Sequence, residues 1–345
     1  MRVLIVKLSS MGDLLHTLPS AAAIRKALPD AELSWVVEER VAEILRGSPV
    51  IDHLIEIDTH SMRGGKVIDE IVIDIGRQAK AVRSRQYDVA IDFQGLMKSA
   101  LIARISGAGR RWGFSRSGLK ERAGRFLLTD TVETPEKFHI IRKNLNLAAA
   151  ALGFEFDDSE ISFPLAASAE HAAEAEAVIA GTGKDIAVLN PGGGWVTKLW
   201  PAENFGYLAD LLWERLGMTP VVTTIPSERG LAEQAAKASL SGKLVISELS
   251  IKGYLELLKR ARVYVGGDTG PTHLAIAAGT PLVGLFGPTE WWRSGSLDPA
   301  DLVVERNDIS CRVDCNRRTC SKWICMEFDA ENVFAAVKAR LISAR

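Results

Sequence analysis

The chain has 345 residues, of which 47% are hydrophobic and 25% charged, with 42 basic side chains against 43 acidic. That much apolar material excludes a disordered chain, and the near-neutral balance gives no global attraction to nucleic acid. No apolar run reaches the ~18 residues a bilayer span needs, and Met1-Arg-Val-Leu-Ile-Val-Lys7 enters a strand without a signal-peptide pattern, so a cytoplasmic protein is expected.

The first half alternates apolar runs with helical patterns. Val3 to Lys7 predicts a buried strand, Ser9-Ser10-Met11-Gly12-Asp13 a polar turn, and Leu14 to Ala27 one helix ended by Pro29-Asp30. Leu33 to Glu38 and Val89 to Phe93 predict further strands, the second followed by Gln94-Gly95 and a helix from Leu96. Between Arg104 and Arg125 lie seven basic residues and one acid, Glu121. Such a run reads as a solvated face or as a docking patch for phosphates, carboxylates or an anionic lipid surface. It lacks the interleaved aromatics that stack bases, so no nucleic-acid partner is expected.

The second half repeats the scheme. Strands are expected at Ile186 to Asn190, Val221 to Thr224, Leu244 to Glu248, Val263 to Gly266 and, as the last one, Pro281 to Phe286. Helices are expected around Ser168 to Ala180, from Pro201 to Leu216, Glu228 to Ser239, Tyr254 to Ala261, and after Asp268. Strand, turn, helix, repeated, predicts an α/β fold of two Rossmann-like, doubly wound parallel-sheet domains, 1–166 and 167–345, facing across a cleft at their strand carboxyl ends. The last helix is free to cross back to the first domain.

The loops after strands carry the chemistry. Asp268-Thr269-Gly270-Pro271-Thr272-His273 leads a strand into a helix start, whose free N–H groups and positive dipole end suit a diphosphate. The hydroxyls of Thr269 and Thr272 can add hydrogen bonds, and plain N-capping above a buried His273 is the bland alternative. In Pro191-Gly-Gly-Gly-Trp195-Val-Thr-Lys198, Lys198 can neutralise a leaving diphosphate. Trp200 is expected to pack in the core. Glu228 is placed to accept from a ribose diol, or simply to support the helix dipole. In the first half, Asp13 is the candidate base that takes an acceptor hydroxyl proton, unless it only stabilises a helix start; Glu39 and Asp92 can orient an acceptor. Four cysteines, Cys311, Cys315, Cys320 and Cys325, fall in one short segment whose spacing does not match paired C-x2-C knuckles. A structural metal, free thiols and a labile disulfide all stay open.

These segments resemble the lipopolysaccharide heptosyltransferases of glycosyltransferase family 9, which have the GT-B fold. The likeness is carried by Val6-Lys-Leu-Ser-Ser-Met-Gly-Asp13-Leu-Leu-His-Thr-Leu-Pro19, Trp35-Val-Val-Glu-Glu39, Ile91-Asp-Phe-Gln-Gly-Leu-Met-Lys-Ser99, Lys198-Leu-Trp-Pro201, Asp268-Thr-Gly270 with His273-Leu274, and Leu285-Phe-Gly-Pro-Thr289. Together they span nearly the whole chain in order.

The resemblance implies inverting transfer of L-glycero-D-manno-heptose from ADP-heptose to a Kdo residue of Kdo2-lipid A, by a peripheral protein of the inner membrane. It implies no cofactor and no essential metal. On matching positions Asp13 is the general base and Lys198 meets the donor phosphates. Glu228 holds the ribose, the backbone near Leu249 meets adenine, and Asp268 contacts the heptose. Thr269, Gly270 and His273 flank the diphosphate, with Thr272 beside them. Ser10, Gly12, Arg63, Lys66, Asp92, Lys98 and Lys120 form the acceptor set. The four-cysteine segment departs from the first core heptosyltransferase, which leaves the second heptosyltransferase, or another core transferase with a different acceptor, as the alternative. Beyond the family, an epimerase of the same architecture or a non-catalytic sugar-nucleotide-binding protein remains to be separated by experiment.

Overall fold

β1 (Arg2–Val6) is apolar at every position after Arg2, and each of those side chains is completely buried. A strand that reads this way belongs inside a parallel sheet covered on both faces. The computed structural model, which describes residues 1–58, 79–183, 185–313 and 315–343, shows such a sheet. β1 pairs in parallel with β2 (Glu32–Glu38) on one side and β4 (Val89–Asp92) on the other. With β3 (His53–Ile57), β5 (Arg110–Phe114) and β6 (Asp130–Val132) the order is β3-β2-β1-β4-β5-β6. This sheet lies in a first compact unit, Met1–Ala166.

The single helix expected from Leu14 to Ala27 is two helices, Met11–Leu15 and Leu18–Ala27. Pro19 has no N–H to give to the preceding turn, so the ladder breaks and restarts with the proline in the first turn of the second helix. β5 carries Arg110 and Arg111 yet pairs normally. Arg111 donates to the carbonyls of Leu127 (2.9 Å) and Ala108 (2.8 Å), so its charge ties loops to the sheet.

The second unit, Ala167–Arg345, repeats the topology. Its strands are β7 (Ile186–Asn190), β8 (Thr219–Thr223), β9 (Val245–Ser247), β10 (Val263–Gly267), β11 (Leu282–Phe286) and β12 (Leu302–Glu305). All pair in parallel, in the order β12-β11-β10-β7-β8-β9. β11 is therefore not the last strand. β12 is a short, half-buried edge, and the Asp301 carboxylate before it accepts from Leu282 N (2.9 Å) and pairs with Arg340 (2.7 Å). The closing helix, Ala330–Ser343, belongs to this unit: Val333, Phe334 and Val337 are buried in its core.

That core also holds Trp200, which stacks on Phe328, meets the edge of Phe205 at 4.8 Å between centroids, and donates to Phe328 O. Trp200 is packing, as its sequence context implied. Burying a side chain such as Phe205 contributes about 1.5–3 kcal/mol. No helix among the described residues is long and apolar enough to cross a membrane.

Candidate active site

In both units the strand order reverses beside the first strand, between β1 and β4 and again between β7 and β10. Loops leaving the carboxyl ends of two such strands diverge to opposite faces, and the crevice between them is where doubly wound sheets bind ligands. Asp13, Lys198 and the Asp268 loop lie in the loops after β1, β7 and β10, while Glu228 and Leu249 follow the neighbouring strands β8 and β9.

In the first unit, β1 runs into Lys7, which is almost completely buried and donates to Phe93 O (3.0 Å). Its ammonium lies 3.3 Å from Asp13 Oδ1, while Asp13 Oδ2 accepts from Ser10 N (3.1 Å) and Ser10 Oγ (3.3 Å). Burial alone pushes the Asp13 carboxyl up. The charges of Lys7 and Lys120 and the Ser10 N–H outweigh it and hold the group well below the usual carboxylate range. Burial in turn pulls the Lys7 ammonium down, with Asp13 opposing. Asp13 is an ionised, partly exposed carboxylate between two cations. The sequence reading missed Lys7, whose signal was a charge at the end of an otherwise apolar strand.

The other first-unit candidates separate. Ser10 orients Asp13, Gly12 is buried at the start of the same helix, and Lys120 is exposed. Lys98 pairs with buried Glu38 at 3.0 Å, and Glu39 is exposed at the start of its helix. Arg63 and Lys66 lie outside the described residues.

Asp92 is corrected. It is fully buried and faces its own loop, accepting from Gln94 N (2.9 Å), Gly95 N (3.1 Å) and Ser99 Oγ (2.9 Å). It shapes the turn after β4, and Gln94 passes that order on by accepting from Leu8 N and Ser9 N. Burial outweighs these donors and pushes the Asp92 carboxyl up to about 6. A carboxyl whose pKa is raised on folding favours the folded state at low pH. That contribution is complete below the unfolded value and is lost as pH rises through about 6. Asp92→Asn removes the titration while keeping an acceptor for the two N–H groups. Urea unfolding is expected to show the Asn variant gaining on the parent by on the order of 2 kcal/mol between pH 4 and 7. A pH-independent difference would reject this account.

In the second unit the Asp268 carboxylate is nearly buried. Lys198 Nζ approaches its Oδ2 at 2.6 Å and its main-chain O at 3.0 Å, and His273 Nε2 lies 3.2 Å from Oδ1. Burial raises this carboxyl, but His273 and Lys198 overcome it and hold it far below the ordinary range. The Lys198 ammonium keeps a third donor direction. Gly270 opens the helix Gly270–Ala278, whose first N–H groups have no partner within the helix. Thr269 Oγ1 accepts from Asn190 Nδ2 (3.2 Å), linking the loops after β7 and β10. Thr272 is corrected: it is completely buried, and its hydroxyl donates to Gly267 O beside the Tyr264 hydroxyl. It braces the loop from beneath. Tyr264 and Asn190 are further supports that the sequence reading did not single out.

Glu228 ends the turn after β8 and approaches the glycine-rich loop. A Cβ at Gly192 would meet the Glu228 carboxylate, so the carboxylate lies directly against the glycine-rich loop. Burial raises the Glu228 carboxyl, opposed by the Gly193 N–H. Leu249, half-buried, follows β9, next to Ser250, which caps the helix Ile251–Leu258. Trp195, also unassigned from sequence, carries Lys198 Nζ 4.3 Å and the Arg318 guanidinium 4.8 Å from its ring centroid.

Arg318 comes from the cysteine segment. That segment holds the Lys198 turn through Trp323 Nε1 to Thr197 O (2.9 Å) and Thr197 Oγ1 to Arg317 O (2.7 Å). The four cysteines are free thiols, and the Cys325 thiol is pushed up by burial and by the nearby Cys315, Cys311 and Cys320. Among the described residues no three His, Cys, Asp or Glu side chains are arranged to hold a metal. The segment acts here through its backbone, Trp323 and Arg318.

Two sheets of one topology, each with charged loops at its switch point, define an α/β protein of the GT-B class. A family model described as glycosyltransferase family 9 (heptosyltransferase) matches residues 75–323. The chain belongs to glycosyltransferase family 9. It is 31% identical over 321 residues to lipopolysaccharide heptosyltransferase 1 of Pseudomonas aeruginosa, covering 93% of this chain and 88% of the relative. The Escherichia coli K12 protein of the same name is 28% identical over 290 residues, or 84% and 89% of the two chains. Among solved structures, E. coli heptosyltransferase WaaC with ADP-2-deoxy-2-fluoro heptose superposes with a TM-score of 0.78 at 25% identity, covering 100% of both chains. E. coli ADP-heptose lps heptosyltransferase II, at 18% identity, shares the fold with a TM-score of 0.77.

Proposed function

We propose that the protein transfers L-glycero-D-manno-heptose, with inversion, from ADP-heptose to a Kdo residue of Kdo2-lipid A in lipopolysaccharide core synthesis. The observation that carries this reading is the Asp13 carboxylate, held ionised between buried Lys7 and exposed Lys120 in the loops that follow the first unit's central strands. The likeness to curated heptosyltransferase 1 proteins, and to a structure containing an ADP-heptose analogue, supports the choice of sugar and nucleotide.

The acceptor hydroxyl attacks the anomeric carbon as the bond to the diphosphate breaks. Its proton passes to Asp13, which needs no earlier deprotonation, because the alcohol becomes strongly acidic only as the new C–O bond forms. ADP leaves with an added negative charge. Lys198, through its remaining donor, and the N–H groups at the start of Gly270–Ala278 stabilise that charge. In this reading Glu228 accepts from the ribose hydroxyls, the Leu249 backbone meets adenine, and Asp268 contacts the heptose. Thr269 and His273 flank the diphosphate, while the cations Lys98 and Lys120 face the acceptor's carboxylates and phosphates. The protein works at the cytoplasmic face of the inner membrane.

The deciding experiment offers ADP-heptose with Kdo2-lipid A and, separately, with the already heptosylated core, and weighs the products by mass spectrometry. Addition of one heptose to Kdo2-lipid A alone is expected. Addition only to the heptosylated core moves the acceptor to the alternative transferase, and isomerised donor without acceptor points to an epimerase. Because Lys198 and a helix terminus carry the leaving-group charge, EDTA is expected to leave the initial rate unchanged. A collapse that magnesium restores would overturn that assignment.

A further inference from the structure

The first unit carries a surface that neither its core nor its site uses. Met97 and Leu101 stand one helical turn apart on the helix Met97–Ile105 and are 39% and 47% exposed. The helical turn Arg122–Leu127 packs alongside: a Cβ on its buried Gly124 would lie 3.5 Å from Ala100 Cβ and 3.6 Å from Leu96 O. From this turn Phe126 projects with 85% of its surface exposed.

Single exposed apolar side chains are ordinary, but here three lie on two elements packed together that also carry exposed arginines. Arg104 follows Leu101 by three residues on the helix, and Arg122 opens the turn; both are exposed. The one acid in residues 97–128 is Glu121, and its carboxylate accepts from Met97 N at 2.6 Å. The two elements therefore present exposed apolar side chains alongside arginines, with Glu121 the one acid of their own stretch of chain.

We infer that this face, Met97, Leu101 and Phe126 together with Arg104 and Arg122 on the same two elements, docks the protein on an anionic bilayer surface. Insertion of the three side chains at the headgroup boundary removes their apolar area from water, while the arginines meet lipid phosphates. Phe126 lies six residues after Lys120, so the patch and one of the cations that act on Asp13 come from neighbouring segments of the same unit. The inference rests on the proposed function only for the view that the acceptor itself is lipid-anchored.

The test is co-sedimentation of the full chain, without donor or acceptor, with vesicles of phosphatidylethanolamine and phosphatidylglycerol, and with phosphatidylcholine vesicles. Binding to the anionic vesicles, weakened by salt and absent from the neutral ones, is expected. Leu101→Ser with Phe126→Ser, and separately Arg104→Glu with Arg122→Glu, should each lower partitioning about tenfold or more. Turnover with a deacylated, water-soluble acceptor should stay at the parent level in both, so a failure of the activity assignment is read apart from a failure of docking. Phe126→Trp gives a readout independent of the double variants: its emission should shift to shorter wavelength with anionic vesicles alone. Equal partitioning of parent and variants, equal binding to neutral lipid, or loss of self-association in the serine variant at sedimentation equilibrium would overturn the proposal; the last would show that a second copy covers the patch.

Discussion

Asp13→Asn is expected to lower kcat by about 10²–10⁴ while leaving donor affinity nearly intact, since a general base acts mainly in the transition state. The structure adds a second, sharper expectation. Lys7, Lys120 and the Ser10 N–H hold the Asp13 carboxyl well below the ordinary carboxylate range against a burial penalty. Protonation of Asp13 therefore contributes no acid limb to kcat above about pH 5. Lys7→Met removes the charge 3.3 Å from Oδ1 and leaves the burial penalty less opposed, so the carboxyl moves up and an acid limb enters the measured range. Rate profiles of the parent and of Lys7→Met, taken with the Asn variant, test the base and its tuning together. Parent-like turnover by Asp13→Asn would remove the carboxylate from the reaction.

Much of this site was legible because it is local. A buried strand, a turn of small or polar residues and a helix start form one continuous pattern, and Asp13, Lys198, Glu228 and the Asp268 loop each occupy such a turn. What escaped depends on contacts distant in sequence. Lys7 looks like a solvated strand end until β4 brings Phe93 O to its ammonium. Asp92 ends a strand and Asp13 follows one, and only the fold distinguishes them: the loop after Asp92 curls back to give it three donors, whereas Asp13 keeps part of its surface in solvent. Thr269 and Thr272 are three residues apart at one helix start, and burial beneath Tyr264 and Gly267 O decides that the second faces inward. The strands that went unread, β3, β5, β6 and β12, are the partly exposed outer ones, where apolar runs shorten and charges intrude. The helix boundary at Pro19 was readable in principle, since an interior proline interrupts the ladder wherever it falls.

Lys198→Met should lower kcat by about 10²–10³, the range seen when one donor to a developing oxyanion is removed. The methionine keeps most of the stem that packs toward Trp195 and loses the charge, so the comparison isolates the ammonium. In the ligand-free protein that ammonium is engaged with the Asp268 carboxylate and main-chain oxygen. Charge that builds on the diphosphate competes with Asp268 for it most strongly in the transition state, which is why the loss belongs in kcat more than in KM. Arg318, on the same indole, can keep part of the ground-state attraction for the donor, so donor KM should rise only modestly. Lys198→Arg should recover part of the rate, because charge is restored but the compact geometry at Asp268 is not. Thermal unfolding checks that each variant is folded before its kinetics are read. A Met variant with parent kcat and a donor KM raised by the whole effect would show that Lys198 holds the nucleotide equally in ground and transition states, and the leaving-group charge would then have to rest on the Gly270 helix start alone.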